Sequence, residues 1–340
     1  MKRNSIVFFC NAGADDGLGH LMRCLSFADA VKGVKKSSIY FFSNDFEGIV
    51  KDRVTSNGYK FKEITNSSGN QFIQDLSDRY TKLIQWIIID LKTIPPCFID
   101  ECRKISRVLH FDDDICRSFN SNIIINNHIS SNKDCYQSNL KSKLLIGSKF
   151  NAVNELFFKV GLSNKNNKHI LITLGGEDPE DLTSWLIKGL SDILSTNRVV
   201  IIVGPANPNL ENIKKNVLIH VPHAQVIFSP KNLSKYMIDA VLAITAGGIT
   251  CYELAAAKVP QCMIALEEHQ KSLINGFVSN NAAALLGFYD NIHIDKVKKI
   301  VNQVLKNKNI SRSISENASN LVPKKGLLNI IKEMGIEKII

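Results

Sequence analysis

Short apolar runs alternate with stretches of helical periodicity along the whole chain, and the alternation starts afresh at residue 169. An apolar run of about four to eight residues followed by an amphipathic helix is the repeating unit of a parallel sheet covered by helices. A polar stretch at residues 161–168 separates the two series and is typical of an interdomain linker. The sequence therefore predicts an α/β protein with two doubly wound domains.

In the first series we predict strands at Ser5–Cys10, Ser38–Ser43, Tyr59–Ile64, Trp86–Asp90, Val108–Phe111 and Ile123–Asn126. Helices are predicted at Gly19–Lys32, Phe46–Ser56, Gln71–Lys82 and Phe98–Ile105. In the second series the predicted strands are His169–Leu174, Arg198–Val203, Val217–Val221, Val241–Thr245 and Gln261–Leu266. Its predicted helices are Pro179–Leu194, Lys231–Met237, Ile249–Lys258 and Gln270–Asn280, with a mostly helical tail from Asp295.

At 340 residues the chain is long enough for two domains of about 150–170 residues each. We place the first domain at residues 1–160, the second at residues 169–325, and a C-terminal tail at residues 326–340. Ligands of doubly wound sheets bind at the carboxyl ends of the strands. The residues that follow the strands are therefore the candidates for function.

Lysine and arginine outnumber aspartate and glutamate by 42 to 32, which gives a formal net charge of +10. Three interpretations are open: a nucleic-acid partner, an anionic phosphate ligand or membrane surface, and a solvated lysine-rich exterior. Because the lysines are scattered and no basic run is interleaved with aromatic residues, we predict no nucleic-acid partner. No apolar segment reaches the ~20 residues that span a bilayer, so we expect at most peripheral membrane association.

The eight cysteines, at positions 10, 24, 97, 102, 116, 135, 251 and 262, form no Cys-x-x-Cys pair. Several lie within apolar runs, where a reduced cysteine behaves as a small hydrophobic residue. We therefore expect reduced cysteines, no disulfide framework and no zinc site. The apolar run Ile6–Cys10 is too short for a signal peptide, and we expect a cytoplasmic protein.

The first strand leads into a glycine-rich turn and a helix that carries a histidine. Gly17 and Gly19 allow a tight turn and a close approach of the backbone to a ligand, and the helix that begins at Gly19 directs unpaired N–H groups at it. His20 lies at the positive end of the helix dipole, which disfavours the imidazolium and keeps the ring neutral, as a general base must be. Arg23 lies one turn later. The alternative is a histidine that only packs or hydrogen-bonds at a helix start.

A second glycine pair, Gly175 and Gly176, follows the first strand of the second series. Asp178 is a good N-cap, Pro179 suits the first helical position, and Asp181 completes a box-like pair. We include Gly175, Gly176 and Asp178 among the candidate substrate-binding residues. A plain turn with a helix cap explains the same residues structurally.

A third glycine pair, Gly247 and Gly248, follows the predicted strand Val241–Thr245. A glycine pair at a strand end that leads into a helix with a hydroxyl in its first turn, here Thr250, is suited to hold a diphosphate. Glu253 lies about one turn further on, where its carboxylate can accept hydrogen bonds from ribose hydroxyls. The alternative for Glu253 is a solvated carboxylate that the helix dipole stabilises.

Three more candidates follow strands. The run Asp112-Asp-Asp114 could be a site for a hard cation. We prefer a turn in which one carboxylate, that of Asp112, contacts the substrate. Asp90 ends a strand, and we expect its side chain to contact the same substrate. His269 and Gln270 follow the last main strand of the second series, where they either contact a ligand or cap a helix. We predict no bound metal.

Together these motifs resemble the UDP-2,4-diacetamido-2,4,6-trideoxy-β-L-altropyranose hydrolases of pseudaminic acid biosynthesis, over about residues 5–290. That family in turn resembles the N-acetylglucosaminyltransferase that makes the lipid precursor of peptidoglycan. The matching segments are Gly17-x-Gly-His-x-x-Arg23, Phe111-Asp-Asp113, Leu174-Gly-Gly-x-Asp178, Val203-Gly-Pro-Ala-Asn-Pro-Asn209, Ala246-Gly-Gly-x-Thr250 with Glu253, and Gln270.

The resemblance implies a GT-B fold, in which two Rossmann-like domains face a cleft and bind a UDP-sugar between them. It implies an inverting cleavage of the bond between the anomeric carbon and the phosphate oxygen, without metal or cofactor. By this resemblance His20 falls on the general base of the family, and Gly247–Glu253 falls on its UDP site.

The chain departs from the family pattern at four places: Asn11–Asp16, Asp90-Leu-Lys92, Phe150–Leu156 and His269. Most of them lie in the half that faces the sugar in the family. The sequence therefore leaves open which sugar is cleaved and whether water is the acceptor. An inverting UDP-sugar glycosyltransferase is the alternative enzyme, and a UDP-sugar-binding protein without turnover is the non-catalytic alternative, against which the intact His20 and Arg23 argue.

Overall fold

The computed structural model describes residues 4–12, 18–44, 48–64, 70–79, 83–94, 97–113, 116–137, 141–159, 168–237 and 239–336. Several features of the sequence analysis lie partly or wholly outside this part of the chain: Gly17, most of Asn11–Asp16, Asp114, the predicted helix ends at Phe46 and Lys82, and all of the predicted linker except Lys168. The chain divides into two compact units. The first unit comprises Met1–Asn154 and Lys325–Ile340, and the second comprises Glu155–Lys324.

The first unit contains a parallel sheet with helices. Its strands are β1 (Ser5–Cys10), β2 (Ser38–Ser43), β3 (Lys60–Glu63), β4 (Ile84–Asp90), β5 (Arg107–Phe111), β6 (Ile123–Asn126) and β7 (Lys143–Ile146). Its helices are α1 (Gly19–Val34), α2 (Ile49–Ser56), α3 (Asn70–Arg79), α4 (Phe98–Ile105) and α13 (Gly326–Glu333). Within the described residues the strand order is β3-β2-β1-β4-β5-β6-β7, so the direction of winding reverses between β1 and β4.

The central strand β1 shows why this sequence forms a sheet with two covered faces. All six of its residues are buried. Ile6 and Phe8 lie in one apolar core with Phe27 of α1, while Val7 and Phe9 lie in a second core. A parallel strand that is buried on both faces has a continuous apolar sequence, because successive side chains point to opposite faces.

The C-terminal segment, which the sequence analysis set apart as a tail, packs in the first unit. Leu327, Ile330 and Ile331 of α13 lie in the same apolar core as α1. Gly326 allows this packing, because a Cβ at that position would lie 2.2 Å from the carbonyl oxygen of Asn151.

The second unit repeats the architecture. Its strands are β8 (His169–Thr173), β9 (Val199–Val203), β10 (Gln225–Phe228), β11 (Ala240–Ala246), β12 (Gln261–Ala265) and β13 (Ala284–Phe288). Its helices are α5 (Leu182–Gly189), α6 (Ser191–Leu194), α7 (Leu210–His220), α8 (Ser234–Met237), α9 (Ile249–Ala256), α10 (Gln270–Ser279), α11 (Ile294–Lys306) and α12 (Lys308–Leu321). Among the residues that the structure covers, the parallel order is β10-β9-β8-β11-β12-β13, with the reversal between β8 and β11.

One predicted strand is wrong. Val217–Val221 was predicted to be extended, but most of it forms the last turn of α7. Ile213 and Val217 are buried at a spacing of one helical turn, whereas Leu218 and Ile219 are exposed. The short apolar run therefore belongs partly to a helix surface, and the strand of this region is β10. Strands β7, β10 and β13 were not predicted.

The expectation that all cysteines are reduced is also wrong, because Cys116 and Cys135 form a disulfide across 19 residues. The other six cysteines are free, and five of these six are buried. None of the described helices is long and apolar enough to cross a membrane.

Candidate active site

His20 occupies the first turn of α1, directly beyond the carboxyl end of β1. The residue before the helix, Leu18, provides no side-chain cap for the N–H groups of this turn. Asp90 is the last residue of β4, and it pairs in register with Cys10 at the end of β1. The point at which the sheet reverses its winding therefore brings His20 and Asp90 to the same edge, which is where doubly wound sheets bind ligands.

The imidazole of His20 is bound to Asp90. His20 Nδ1 lies 2.7 Å from Asp90 Oδ1, and Asp90 is buried with 1% of its surface exposed. A carboxylate only accepts hydrogen bonds, so Nδ1 carries the proton. In the neutral ring, Nε2 then holds a lone pair. Nε2 has no hydrogen-bond partner among the described residues, and the His20 side chain is 15% exposed.

Arg23 connects two carboxylates in this cluster. Its guanidinium donates to both oxygens of Asp90, at 2.7 and 2.5 Å, and to both oxygens of Asp113, at 2.6 and 2.8 Å. It also lies over the ring of Phe111, 4.4 Å from the centroid. Two bidentate pairs on one guanidinium fix the position of both carboxylates relative to α1.

The protonation of His20 differs from the expectation based on the helix dipole. Burial lowers the pKa of His20, but the hydrogen bond to Asp90 and the charges of Asp90 and Asp113 outweigh it, so the pKa lies above its ordinary value of 6.5. The expectation that the dipole keeps the ring neutral is wrong in direction. The attraction of Asp90 and Asp113 for the imidazolium outweighs the repulsion by Arg23, whose Nη2 lies 3.3 Å from Nδ1. Burial alone would raise the pKa of Asp90. The charges and hydrogen bonds of Arg23 and His20 lower it by more, so the net shift is downward.

The same cluster has the spacing of a metal site. Donor atoms of His20, Asp90 and Asp113 lie within 4.8 Å of one another, and this is the one such group among the described residues. However, the guanidinium of Arg23 already binds all four carboxylate oxygens. A divalent cation would have to displace this positive charge, so the donor set is better suited to the arginine than to a metal.

The sequence analysis predicted that Asp112 contacts the ligand, but the structure brings Asp113 into the cluster instead. Asp112 is fully buried and is held by the side chains of Arg117 and Tyr136. Strand alternation would have predicted this difference. Phe111 faces the core on the side of α1, so the residue two positions later faces the same side and Asp112 faces the other. Asp114 lies outside the described residues.

In the second unit, the first glycine pair follows β8. Gly175 has a left-handed backbone with a φ of +96°, which glycine adopts without strain. Gly204 packs against this pair, because a Cβ on it would lie 2.4 Å from the carbonyl oxygen of Gly176 and 2.5 Å from that of Gly175. The glycines of two different motifs thus allow two strand ends to approach each other.

The N-cap residue of α5 is Asp181 and not Asp178, although the side chain of Asp178 binds the first N–H groups of the helix. The two carboxylate oxygens of Asp178 accept hydrogen bonds from the backbone N–H groups of Leu182 and Thr183, both at 2.9 Å, and its surface is 2% exposed. Helix α5 accordingly begins at Leu182, three residues after the predicted start at Pro179. These bonds account for Asp178 structurally and leave its predicted contact with a ligand as a prediction.

The second glycine pair of this unit lies between β11 and α9. Gly247 is buried, and a Cβ on it would lie 2.8 Å from Cβ of Gln270. Gly248 is exposed with open space around it, and Thr250 is half-buried in the first turn of α9. Gln270 is held in place by a hydrogen bond of 2.9 Å from the backbone N–H of Leu266 to its Oε1. The backbone at Gly248 is therefore accessible while its neighbours are fixed.

His269 and Glu253, two further candidates, lie in opposite environments. His269 is exposed and pairs with Glu267 at 3.0 Å. Glu253 lies on α9 with only 6% of its surface exposed, and its Oε2 has no hydrogen-bond partner among the described residues. Burial raises the pKa of Glu253 to about 8. An unpaired buried carboxyl group is costly, and a ligand that donates hydrogen bonds would satisfy it.

No protein-family model matches the sequence. The chain is homologous to three curated proteins. It is 26% identical to an uncharacterized protein of Methanocaldococcus jannaschii over 80% of this chain and 58% of that protein. It is 21% identical to the spore coat polysaccharide biosynthesis protein SpsG of Bacillus subtilis over 96% of both chains. It is 25% identical to a Helicobacter pylori protein named pseudaminic acid cytidylyltransferase and UDP-2,4-diacetamido-2,4,6-trideoxy-beta-L-altropyranose hydrolase, over 79% of this chain and 46% of that one.

The chain thus spans about half the length of the archaeal and Helicobacter relatives. Among solved structures, it is similar to a Staphylococcus aureus protein, MnaA, solved with UDP (TM-score 0.69, 9% identity, 97% of this chain and 96% of that one). It is also similar to MurG of Acinetobacter baumannii (TM-score 0.65, 12% identity, 97% and 99%). The chain has the GT-B fold.

This GT-B protein carries its candidate residues at equivalent places of its two sheets. Asp90 ends β4 and α1 follows β1, the two strands at the reversal of the first sheet. Gly175 follows β8 and Gly247 follows β11, the two strands at the reversal of the second sheet. The predicted α/β architecture with two doubly wound sheets is confirmed. Around His20, the sequence analysis gave Asp113 no role and missed Arg117, Tyr136 and the disulfide.

Proposed function

We propose that the protein hydrolyses a UDP-linked sugar with His20 as the general base. The observation that carries this proposal is the Asp90–His20 pair at the carboxyl edge of a doubly wound sheet, which leaves Nε2 without a hydrogen-bond partner among the described residues. A histidine whose Nδ1–H is held by a buried carboxylate is oriented and electrostatically supported as a base. The names of two relatives support UDP-sugar chemistry and polysaccharide biosynthesis.

In the proposed reaction, Nε2 of His20 removes a proton from water as the water attacks the anomeric carbon. The bond between that carbon and the phosphate oxygen breaks, and UDP leaves with the bonding electron pair. Asp90 stabilises the imidazolium that forms. UDP is a stable anion, so its departure requires no general acid, and attack from the opposite face inverts the anomeric centre.

We assign UDP binding to the second unit. The first-turn N–H groups of α9 and the hydroxyl of Thr250 are suited to a diphosphate, with Gly248 allowing close approach. Oε2 of Glu253, which no described residue binds, is an acceptor for the ribose hydroxyls. The similarity to a structure solved with UDP supports this assignment.

The proposed substrate is a UDP-linked diacetamido-trideoxy hexose, of the kind that the name of the Helicobacter relative contains. The proposed setting is the cytoplasmic stage of nonulosonic acid or surface-polysaccharide biosynthesis. We propose that no metal or cofactor takes part, because Arg23 supplies the positive charge that a cation would bring to the carboxylates.

A second candidate is an inverting UDP-sugar glycosyltransferase. The similarity to MurG favours it, because the same base can act on a sugar hydroxyl. The two candidates differ in whether free sugar is produced at a catalytic rate without an added acceptor.

The experiment is incubation of the purified protein with a panel of UDP-sugars, followed by proton NMR of the released sugar, its anomer and UDP. We expect release of one sugar with inverted configuration. In His20→Ala the rate should fall by at least about a hundredfold. His223→Ala is the control, because His223 is exposed and bonds only a backbone carbonyl. Retention of a tenth or more of the activity in His20→Ala would contradict the proposal.

A further inference from the structure

Arg117 connects the ends of two neighbouring strands beside the candidate active site. Its guanidinium donates to Asp112 Oδ1 at 3.0 Å and to the carbonyl oxygen of Phe111 at 3.3 Å, and these two residues lie at the end of β5. From the segment after β4, it binds the carbonyl oxygens of Leu91 and Lys92, both at 3.3 Å. A planar guanidinium can bridge several acceptors at once, whereas an ammonium group cannot hold the same geometry.

The residues that Arg117 binds are the sequence neighbours of two carboxylates in the cluster. Leu91 follows Asp90, and Asp112 precedes Asp113. The described pairing of β4 with β5 ends at Ile89 and His110, before either carboxylate is reached. The separation of Asp90 and Asp113 is therefore not set by the β4–β5 register and depends on side chains.

Arg117 is itself held firmly. Its backbone N–H donates to Asp112 Oδ2 at 3.1 Å, and the hydroxyl of Tyr136 donates to the same oxygen. The residue before Arg117 and the residue before Tyr136, Cys116 and Cys135, are joined by the disulfide. The two donors to Asp112 are thus covalently connected to each other through their neighbours.

We propose that Arg117 is a positioning residue, which acts together with Arg23 to set the separation of Asp90 and Asp113 and thereby the orientation of His20. It touches neither the histidine nor the proposed reacting atoms. This inference rests on the proposed role of His20 as a base. Its direct test reads His20 itself and so does not depend on turnover.

The test is a titration of the His20 imidazole by NMR in the wild type and in Arg117→Ala. Because the two carboxylates raise the pKa of His20, their misplacement should lower that pKa towards 6.5. Arg117→Lys should lower the pKa of His20 nearly as far, because lysine keeps the charge but lacks the planar set of N–H donors that binds several acceptors at once. Arg103→Ala is the matched control, since Arg103 is exposed and bonds one carbonyl oxygen, at 2.9 Å.

If Arg117→Ala does not fold, Arg117→Lys and Tyr136→Phe replace it, and Tyr136→Phe should produce a smaller shift in the same direction. Where the wild type is active, kcat should fall by about tenfold or more while the affinity for UDP is unchanged. The inference is overturned if the His20 pKa in Arg117→Ala or its replacements equals that of the wild type. It is also overturned if Arg117→Lys keeps the wild-type pKa while Arg117→Ala does not. A shifted titration in a protein that hydrolyses no UDP-sugar would support the positioning role and contradict the proposed function.

Discussion

Asp90 Oδ1 lies 2.7 Å from His20 Nδ1 and is bound at the same time by Arg23, so one buried oxygen orients the base and is itself held by a cation. This contact keeps the proton on Nδ1, so Nε2 is the nitrogen that can accept a proton from the substrate water. The behaviour of the site with pH follows from the same contact.

Removal of the Asp90 charge should shift the acid limb of the activity profile. A general base works when it is neutral, so wild-type activity should rise with pH through the pKa of His20, which lies above 6.5. In Asp90→Asn that pKa falls, and the acid limb should move to lower pH while the maximal rate drops by at least about a hundredfold. The measurement is kcat/KM against pH.

Asp113→Asn is the comparison for that profile. Asp113 is 39% exposed, and its carboxylate lies 3.8 Å from His20 Nδ1. The acid limb should move in the same direction by a smaller amount. A limb that stays in place in both variants would mean that another group titrates.

Arg23 should be important for stability as well as activity. Arg23→Ala leaves two carboxylates without their buried partner, and loss of one member of a buried ion pair costs about 3–5 kcal/mol. The free energy of unfolding in urea should fall by that amount. Arg312→Ala, which breaks an exposed pair with Glu316, should cost no more than about 0.5 kcal/mol. Equal losses in the two variants would contradict the account of the cluster.

Glu253 allows a prediction for the nucleotide. In Glu253→Ala the affinity for UDP should fall by about 1–3 kcal/mol, the cost of leaving buried hydroxyl groups of the ligand without their hydrogen-bond partner. Calorimetry measures it, with Glu211→Ala as the control, because Glu211 is exposed and pairs with Lys214 on the same helix. An affinity equal to that of the wild type would make Glu253 a structural residue.

The same residue should affect stability in the absence of ligand. The folded pKa of Glu253 is about 8, above its ordinary value of 4.5, because burial disfavours the charged form. Its Oε2 has no hydrogen-bond partner in the part of the chain that the structure describes. The folded state therefore binds a proton more tightly than the unfolded state, and stability is lost as pH rises from about 4.5 to 8. Glu253→Gln should raise the Tm at pH 8.5 and much less at pH 5.

Activity should survive chelation. EDTA removes divalent cations, and the carboxylates of Asp90 and Asp113 are bound by Arg23 instead. Turnover should be unchanged after dialysis against EDTA. Loss of activity that Mg²⁺ or Mn²⁺ restores would assign the cluster of His20, Asp90 and Asp113 to a metal.

The strands that the sequence predicted best are those whose residues are buried on both faces. The bounds of β1, β2 and β6 agree with the prediction, because their continuous apolar runs end at polar or glycine-rich segments. The edge strand β10 was missed because it is short and only partly buried, while the more apolar run before it is the end of α7.

The site could be predicted only in part, for a physical reason. His20 and Arg23 share one helix turn, and Asp90 ends a strand, so local patterns indicate them. The bonds of Arg117 to residues 91 and 92 join segments about 25 positions apart. No periodicity encodes such a contact, and only the neighbouring positions of β4 and β5 in the sheet reveal it.

The most direct test of the central claim is hydrolysis in H₂¹⁸O without any acceptor, with wild type and His20→Ala compared on the UDP-sugar that the panel identifies. We predict that the wild type releases free sugar at about 1 s⁻¹ or faster. The label should be on the sugar and absent from UDP, and His20→Ala should be at least about a hundredfold slower. Negligible release without an acceptor and rapid release with one would show a transferase, and label on UDP would contradict cleavage at the anomeric carbon.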